Sequence, residues 1–217
     1  MDHAEAAHLR RSLDRCLAQR DKPQSVRLAL EAVREGGLDI LDLYDLVLVP
    51  LLVDTGAHWQ LGATAVWEEH LGSATVRTII ESLYVDVLER SSGVIDTGRT
   101  ALLACPPQEQ HDLGLRMLTD RFTLAGWNAV FLGADTPVNE ICAASSAVGA
   151  EIVVLSASTH FSRVVLRRVV DRVRDGIAPA RVLVGGPAFV IDKDWPASEL
   201  FDHAELGLRP PVTPEDV

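Results

Sequence analysis

The sequence predicts a helical bundle followed by an open α/β domain with a doubly wound parallel sheet. Up to residue 92, apolar side chains recur at three- and four-residue spacing, which is typical of amphipathic helices. After residue 98, short continuous apolar runs alternate with helical segments, as in parallel sheets buried on both faces. Between them lies the stretch 91–98, Ser-Ser-Gly-Val-Ile-Asp-Thr-Gly, which has the composition of a linker. We therefore expect two domains, residues 1–92 and 99–209.

The first domain is predicted as a four-helix bundle. The expected helical segments are Ala4–Gln19, Ser25–Glu35, Leu38–Trp59 and Ala63–Glu89. Glycines at 36, 37 and 62 mark the breaks between segments, and Pro50 predicts a kink in the third helix because proline cannot donate a helical hydrogen bond.

The second domain is predicted from four strands and three helices. The expected strands are Thr100–Cys105, Ala129–Leu132, Ile152–Ser156 and Arg181–Val184, and the expected helices are Asp112–Ala125, Val138–Val148 and Arg163–Asp175. The proline-rich tail, residues 210–217, is predicted to be disordered.

Composition narrows the possible partners and compartment. The chain has 217 residues and a formal net charge of −11, so we expect no direct binding to nucleic acid or to anionic membranes. Its three cysteines are far apart and form no CxxC pair, which favours a reducing cytoplasm over a disulfide framework. Residues 1–11 lack the apolar core of a secretory signal. The apolar run 46–53 is too short to span a bilayer. We find no nucleophile–base pair, P-loop or zinc-type spacing, and we expect no enzyme activity.

Candidate ligand-binding residues follow the predicted strands, where open α/β sheets bind their ligands. Glu109 and His111 follow the first strand, and an imidazole with a carboxylate two residues away is a plausible metal ligand. Three hydroxyl residues lie within 156–159 after the third strand, and Gly185-Gly186 follows the fourth. Taken singly, each has a structural alternative, such as a helix cap or a simple turn. Taken together, they predict a long cleft with one metal-binding histidine.

This constellation resembles the cobalamin-binding domain family, whose domain is Rossmann-like and flavodoxin-like. The family's Asp-x-His-x-x-Gly motif is matched by Glu109-Gln110-His111-Asp112-Leu113-Gly114, with Glu in place of Asp. Its Ser-x-Leu or Ser-x-Thr element is matched by Ser156-Ala157-Ser158 except at the last position, and its Gly-Gly pair by Gly185-Gly186. The resemblance implies that His111 is the lower axial ligand of cobalt and that Glu109 holds its tautomer. It also implies that the cofactor's nucleotide tail lies beside the two serines and two glycines, and that the helical bundle caps the cofactor.

A second motif in the bundle indicates which cobalamin protein this is. Trp59, Glu69 and His70 reproduce the Trp-x9-Glu-His signature of CarH-type photoreceptors, which bind adenosylcobalamin. From the residues alone, Trp59 fits a core aromatic and Glu69-His70 a solvated pair. The resemblance implies instead that Trp59 packs on the adenosyl group, with Glu69 and His70 contacting it or the corrin side chains.

The chain departs from that family in two ways. Gln60 stands where the family has the histidine that ligates cobalt after photolysis, so a bis-histidine photoproduct would need His58 or His70 instead. The bundle begins almost at residue 1, so we expect no DNA-binding domain and no repressor activity by this chain alone. Chains of this architecture include photocobilins, which also bind a bilin such as biliverdin. No specific bilin motif is visible here.

The sequence therefore predicts a cytoplasmic, adenosylcobalamin-dependent light sensor. It would signal through a homo-oligomer or a separate signalling protein. The main alternative is a corrinoid methyl-carrier protein of a methyltransferase system, which uses the same fold and lower histidine. A receiver-like or flavodoxin-like domain behind an unrelated bundle is the third hypothesis, but Asp135 alone does not supply the acidic cluster of a receiver.

Overall fold

The chain divides into two compact units. A computed structural model describes residues 3–189 and 195–212. The first unit contains the described residues up to Val87 together with Pro210–Val212, and the second contains those from Leu88 to Arg209. The boundary falls a few residues before the predicted linker. Of the tail predicted to be disordered, residues 213–217 lie outside the described residues, whereas the Val212 N–H donates to Asp45 Oδ2 at 3.0 Å.

The first unit is helical throughout its regular structure. Its helices are α1 (His3–Ala18), α2 (Lys22–Arg34), α3 (Ile40–Leu43), α4 (Val49–Gln60) and α5 (Val66–Ser82), and α6 (Tyr84–Ser91) crosses the unit boundary. Asp21 and Asp39 cap α2 and α3 by accepting hydrogen bonds from the N–H groups of Gln24 and Leu41. The apolar stripes of these helices form a buried core that includes Leu13, Ile40, Leu43, Tyr44, Ile79 and Leu83.

The third predicted helix, Leu38–Trp59, forms one continuous helical segment that contains a wider turn. Between α3 and α4, residues Tyr44–Leu48 form a π-helical turn, and the N–H of Val49 donates to the carbonyl of Tyr44, five residues back. Pro50 follows directly and cannot donate to the turn before it, so the hydrogen-bond ladder shifts register here. The irregularity predicted at Pro50 thus lies on its N-terminal side.

The second unit is a three-layer α/β sandwich. Its strands are β1 (Thr100–Ala104), β2 (Asn128–Gly133), β3 (Ile152–Ser156) and β4 (Arg181–Gly185), and its helices are α7 (Leu113–Leu124), α8 (Val138–Val148) and α9 (His160–Ile177). All neighbouring strands are parallel, in the order β2-β1-β3-β4. The chain therefore winds to one side of β1 and then to the other, which places the topological switch point between β1 and β3.

Alternate residues of each central strand face opposite layers. In β1, Leu102 and Ala104 pack with α8 and α9, whereas Ala101 and Leu103 pack with α7. Because both faces are buried, the strands are apolar without interruption, as the sequence pattern predicted. The predicted fold class, a helical bundle followed by a doubly wound parallel sheet, is confirmed. In the part of the chain that the structure describes, no helix has the length and apolar character needed to cross a membrane.

Candidate functional site

The histidine loop and the serine loop meet at the switch point of the sheet. The β1–α7 loop carries Glu109 and His111, Ser156 ends β3, and the β3–α9 loop carries Ser158. Leu155, next to the end of β3, pairs with Ala104 at the end of β1, so the two loops leave the sheet side by side. This edge is where open parallel sheets bind ligands.

Glu109 connects the two loops through its side chain. It is only 1% exposed. Its Oε1 accepts hydrogen bonds from the backbone N–H of His111 at 2.8 Å and from His111 Nδ1 at 2.7 Å. Its Oε2 accepts from the backbone N–H of Ser158 at 2.7 Å. A single buried carboxylate therefore holds the histidine ring and fixes it to the neighbouring loop.

The charge state of Glu109 decides the tautomer of His111. Burial alone raises the pKa of Glu109, but hydrogen bonds from the His111 ring, the Ser162 hydroxyl and the backbone N–H groups of His111 and Ser158 outweigh it and lower the pKa to about 2. An ionised carboxylate can only accept hydrogen bonds, so Nδ1 must carry the proton. In the neutral ring the lone pair is then on Nε2.

The His111 side chain is suited to bind a metal whose other ligands come from a cofactor rather than from the protein. Its ring is 65% exposed although its orienting carboxylate is buried. Nε2 is thus the atom that the loop presents, with a ring orientation fixed by a carboxylate, as is usual for metal-binding histidines. Among the described residues no cluster of three His, Cys, Asp or Glu side chains could hold a bare ion. A corrinoid needs none, because its own ring supplies the equatorial nitrogens. The residues present therefore fit cobalt carried in a corrin.

Cys105, the neighbouring sulfur, does not compete as a ligand. Its Sγ donates to the backbone carbonyl of His111 at 3.7 Å. Burial, with a smaller effect of the charges on Glu109 and Asp112, raises the pKa of the Cys105 thiol to about 12. It is a neutral thiol that supports the loop from below.

The three predicted glycines, Gly114, Gly185 and Gly186, differ in how much space a side chain would have at each position. Gly186 has φ +102°, and a Cβ there would lie 2.6 Å from the Ala157 carbonyl oxygen and 2.8 Å from Ser156 Oγ. Gly186 therefore lets the β4 loop lie directly against the serine loop. At Gly185 a Cβ would lie 3.2 Å from Phe201 Cβ. At Gly114 it would meet no described atom within 4 Å, so the surroundings of Gly114 are open.

The other predicted residues of this unit occupy different depths. Gln110 is exposed beside His111, whereas Asp112 is buried at the N-terminal end of α7. Ser156 is buried against Gly186, and Ser158 is half-buried. The structure therefore brings Glu109, His111, Ser156, Ser158 and the glycine pair together at one edge of the sheet.

Ser162 and Asp135 contribute to the site and were not predicted. The Ser162 hydroxyl hydrogen-bonds the Glu109 carboxylate, and Ser162 also forms a capping box with Thr159 at the start of α9. The signal in the sequence that could have identified Ser162 is its position three residues after Thr159 at a helix start, which is the spacing of a capping box. Asp135 Oδ1 accepts from the backbone N–H of Gln108 at 2.7 Å, in the histidine loop. Only the fold brings residues 108 and 135 together.

In the helical unit, the residues predicted to contact the adenosyl group, Trp59, Glu69 and His70, lie near the α4–α5 turn. A Cβ added to Gly72 of α5 would lie 3.9 Å from Thr55 Cγ2 of α4, which sets the register of this hairpin. Trp59 lies in the last turn of α4, and Glu69 and His70 lie near the start of α5. Trp59 is 46% exposed, so it is not the core aromatic that the residue pattern alone would fit.

Glu69 and His70 form a hydrogen-bonded pair. His70 Nδ1 lies 2.5 Å from Glu69 Oε2, and Ser73 Oγ donates to Glu69 Oε1 at 2.5 Å. The Glu69 carboxylate is three-quarters buried, while the His70 ring is 73% exposed. The pair thus has an oriented imidazole on the surface of the helical unit: Glu69 holds the ring, and Ser73 of the same helix holds Glu69.

The depressed pKa of Glu109 predicts a specific loss of stability in acid. Its pKa is lowered from 4.5 to about 2, so its stabilisation is complete above pH 4.5 and is lost as the pH falls toward 2. At neutral pH it contributes on the order of 3 kcal/mol. In urea unfolding followed by circular dichroism, the free energy of unfolding of the native chain should exceed that of Glu109→Gln by about this amount at pH 7. This difference between the two free energies should shrink below pH 4.5. A difference that stays constant from pH 7 to pH 3 would contradict the assignment.

Two family models match the chain, both described as B12 binding domain. One matches residues 9–84, in the helical unit, and the other matches residues 99–206, in the sheet unit. Together they span well over half of the chain and reproduce the two-part organisation seen in the structure.

Curated relatives support the same family. The chain is 32% identical over 149 residues to the HTH-type transcriptional repressor CarH of Myxococcus xanthus, covering 68% of this chain and 48% of that protein. It is also 32% identical over 149 residues to the repressor CarA of the same organism, covering 69% and 48%. The chain spans about half the length of these curated relatives.

A solved structure shows the same fold. The monomethylamine corrinoid protein of Methanosarcina barkeri superposes with a TM-score of 0.71 at 17% sequence identity, covering 90% of this chain and 91% of that one. Family models match both halves of the sequence, His111 lies at the switch point with its buried carboxylate, and the architecture is shared with a corrinoid protein. The chain therefore belongs to the B12-binding domain family.

Proposed function

We propose that the chain is a cobalamin-binding light sensor that uses adenosylcobalamin as its chromophore. The observation that carries cobalamin binding is the exposed His111 ring held through Nδ1 by buried, ionised Glu109. Support for a sensor comes from exposed Trp59 at the end of α4 and from the Glu69–His70 pair near the start of α5, in which the His70 ring is exposed and the Glu69 carboxylate is mostly buried. Bound adenosylcobalamin would supply a cobalt–carbon bond that light can break.

In this proposal each group of residues has a separate task. Glu109 would keep the proton on His111 Nδ1, so that Nε2 would hold the cobalt. Ser156, Ser158, Gly185 and Gly186 receive the nucleotide tail, with the hydroxyls donating hydrogen bonds and the glycines allowing close approach. Trp59 would stack on the adenine, and Glu69 would accept hydrogen bonds from the adenosyl group or its neighbours.

The output would be a change of conformation or of oligomeric state. For a nearly complete switch, the adenosyl contacts must favour one state by about 5.5 kcal/mol. Stacking on Trp59 together with hydrogen bonds to Glu69 is of the right order. We propose that a second copy of the chain or a separate signalling protein reads this change, and that the chain itself catalyses no reaction.

The test is an absorption spectrum of the chain with adenosylcobalamin, in the dark and after green light. We expect a spectrum with histidine in place of the cofactor's own base in the dark, a change on illumination, and a shift in size-exclusion elution. Stable binding without any light response, combined with a preference for methylcobalamin, would favour a corrinoid methyl carrier instead. Absence of binding would contradict cobalamin recognition itself.

A bilin as a second chromophore is a separate part of the proposal. His58 and Trp67 are exposed in the helical unit and could contact a tetrapyrrole such as biliverdin. Titration of biliverdin into the cobalamin-loaded chain should then produce a red-shifted bilin band. An unchanged bilin spectrum would limit the cofactors to cobalamin.

A further inference from the structure

Asp135 forms a clamp between the β2–α8 loop and the histidine loop. Its Oδ1 accepts from the backbone N–H of Gln108 at 2.7 Å, and its own N–H donates to the carbonyl of Glu109 at 2.9 Å. On the strand side, the N–H of Thr136 donates to the carbonyl of Cys105 at 2.9 Å. The two Asp135 hydrogen bonds thus hold the backbone on either side of the peptide bond between Gln108 and Glu109.

The two residues joined by the side-chain bond both have left-handed backbones. Gln108 has φ +70° and Asp135 has φ +48°, and neither is glycine. Such conformations cost free energy and persist only where the surroundings hold them. Aspartate tolerates this region better than most residues, while glutamine gains nothing from it. The Asp135 carboxylate is the group that stabilises the strained conformation of Gln108 by accepting its N–H.

We propose that Asp135 is a positioning residue for His111, an inference that rests on the proposed binding of cobalamin through that histidine. Asp135 holds the backbone of Gln108 and Glu109, and Glu109 holds the imidazole that would ligate the cobalt. Without the Asp135 carboxylate the loop samples more conformations, and fewer of them present Nε2 at the ligating position. Ligation by His111 then weakens although no atom of Asp135 touches the cofactor.

The variant that tests this is Asp135→Gly. Glycine adopts φ +48° without strain, so this change removes the carboxylate without straining the backbone, whereas alanine would add backbone strain as a second effect. The readout is the pH midpoint at which the bound cofactor loses its histidine ligand, followed by absorption spectroscopy. Protonation of His111 competes with cobalt, so weaker ligation raises the midpoint. Loss of one such hydrogen bond should weaken ligation about fivefold and raise the midpoint by about 0.7 pH unit.

Two further variants separate positioning from general effects. Asp135→Asn retains an oxygen acceptor and tolerates the same backbone, so it should restore the native midpoint. Glu140→Gln removes an exposed negative charge from the first turn of α8 and should leave the midpoint unchanged.

An Asp135→Gly variant that loses thermal stability but titrates at the native midpoint would overturn the inference, since Asp135 would then be structural only. The native chain provides the separate test of the proposed function. If the native chain itself fails to bind cobalamin, that proposal fails before the variants are compared.

Discussion

Replacement of His111 by alanine should abolish histidine ligation of the bound cobalamin while leaving the protein folded. The ring is largely exposed, and Glu109 would keep its hydrogen bonds from the N–H groups of residues 111 and 158. We therefore expect a loss of about 1.5–3 kcal/mol in the free energy of unfolding, as for one hydrogen bond to a charged group. The absorption spectrum of the bound cofactor should lose the histidine-ligated form entirely.

A neighbouring histidine provides the control for this experiment. His160 is exposed at the first position of α9, two residues after Ser158, and His160→Ala should retain the native spectrum. Free imidazole added to His111→Ala should restore a nitrogen-ligated spectrum, because the site lacks only the ring. If His111→Ala keeps the native spectrum, the lower ligand is another group and the assignment is wrong.

Replacement of Trp59 by alanine should weaken adenosylcobalamin binding selectively. Stacking of a base on an aromatic side chain is worth about 1–3 kcal/mol, which corresponds to a loss of affinity of about 5- to 150-fold. Hydroxocobalamin has no adenosyl group and should bind both proteins equally. The dissociation constants of the two cofactors, measured by titration on each protein in the dark, provide the comparison.

Trp67 is the matched control, because it is a second exposed tryptophan of the same hairpin. It is 55% exposed, and the Arg20 guanidinium lies 5.0 Å from its ring centroid. Trp67→Ala should change the affinity for adenosylcobalamin by less than about twofold. Equal losses of both cofactors in Trp59→Ala would remove Trp59 from the adenosyl site and would weigh against a light sensor.

The sheet domain shows how closely a buried parallel sheet can be predicted. The strand predicted at Ile152–Ser156 has those limits in the structure, and the helix predicted at Val138–Val148 does too. These elements have strong local signals, namely continuous apolar runs and a proline followed by a periodic helix. In the bundle, the segment predicted as Ala63–Glu89 is interrupted at Leu83 between α5 and α6, because apolar periodicity alone does not mark such a break.

The candidate site was only partly visible in the sequence, for a physical reason. Glu109, His111 and the glycine pair are readable because their roles depend on short spacing along the chain. Ser162 was less visible, since its hydroxyl reaches Glu109 across a separation of 53 residues in the sequence that only β1–β3 pairing closes. The partial burial of the Glu69 carboxylate and the exposure of Trp59 also follow from helix packing rather than from the motif.

By itself, then, the sequence determined the order of the elements, the doubly wound sheet and the loop that carries Glu109 and His111. Each of these depends on local periodicity or on residues a few positions apart. Tertiary structure alone decided which carboxylate oxygen each donor binds, that Glu109 stays ionised and that Nε2 of His111 is the presented atom. It also decided that Asp135 supports the loop. The burial of Glu109 and its bond from Ser158, like the bond between Gln108 and Asp135, depend on segments that are distant in sequence and exist only once the sheet has formed.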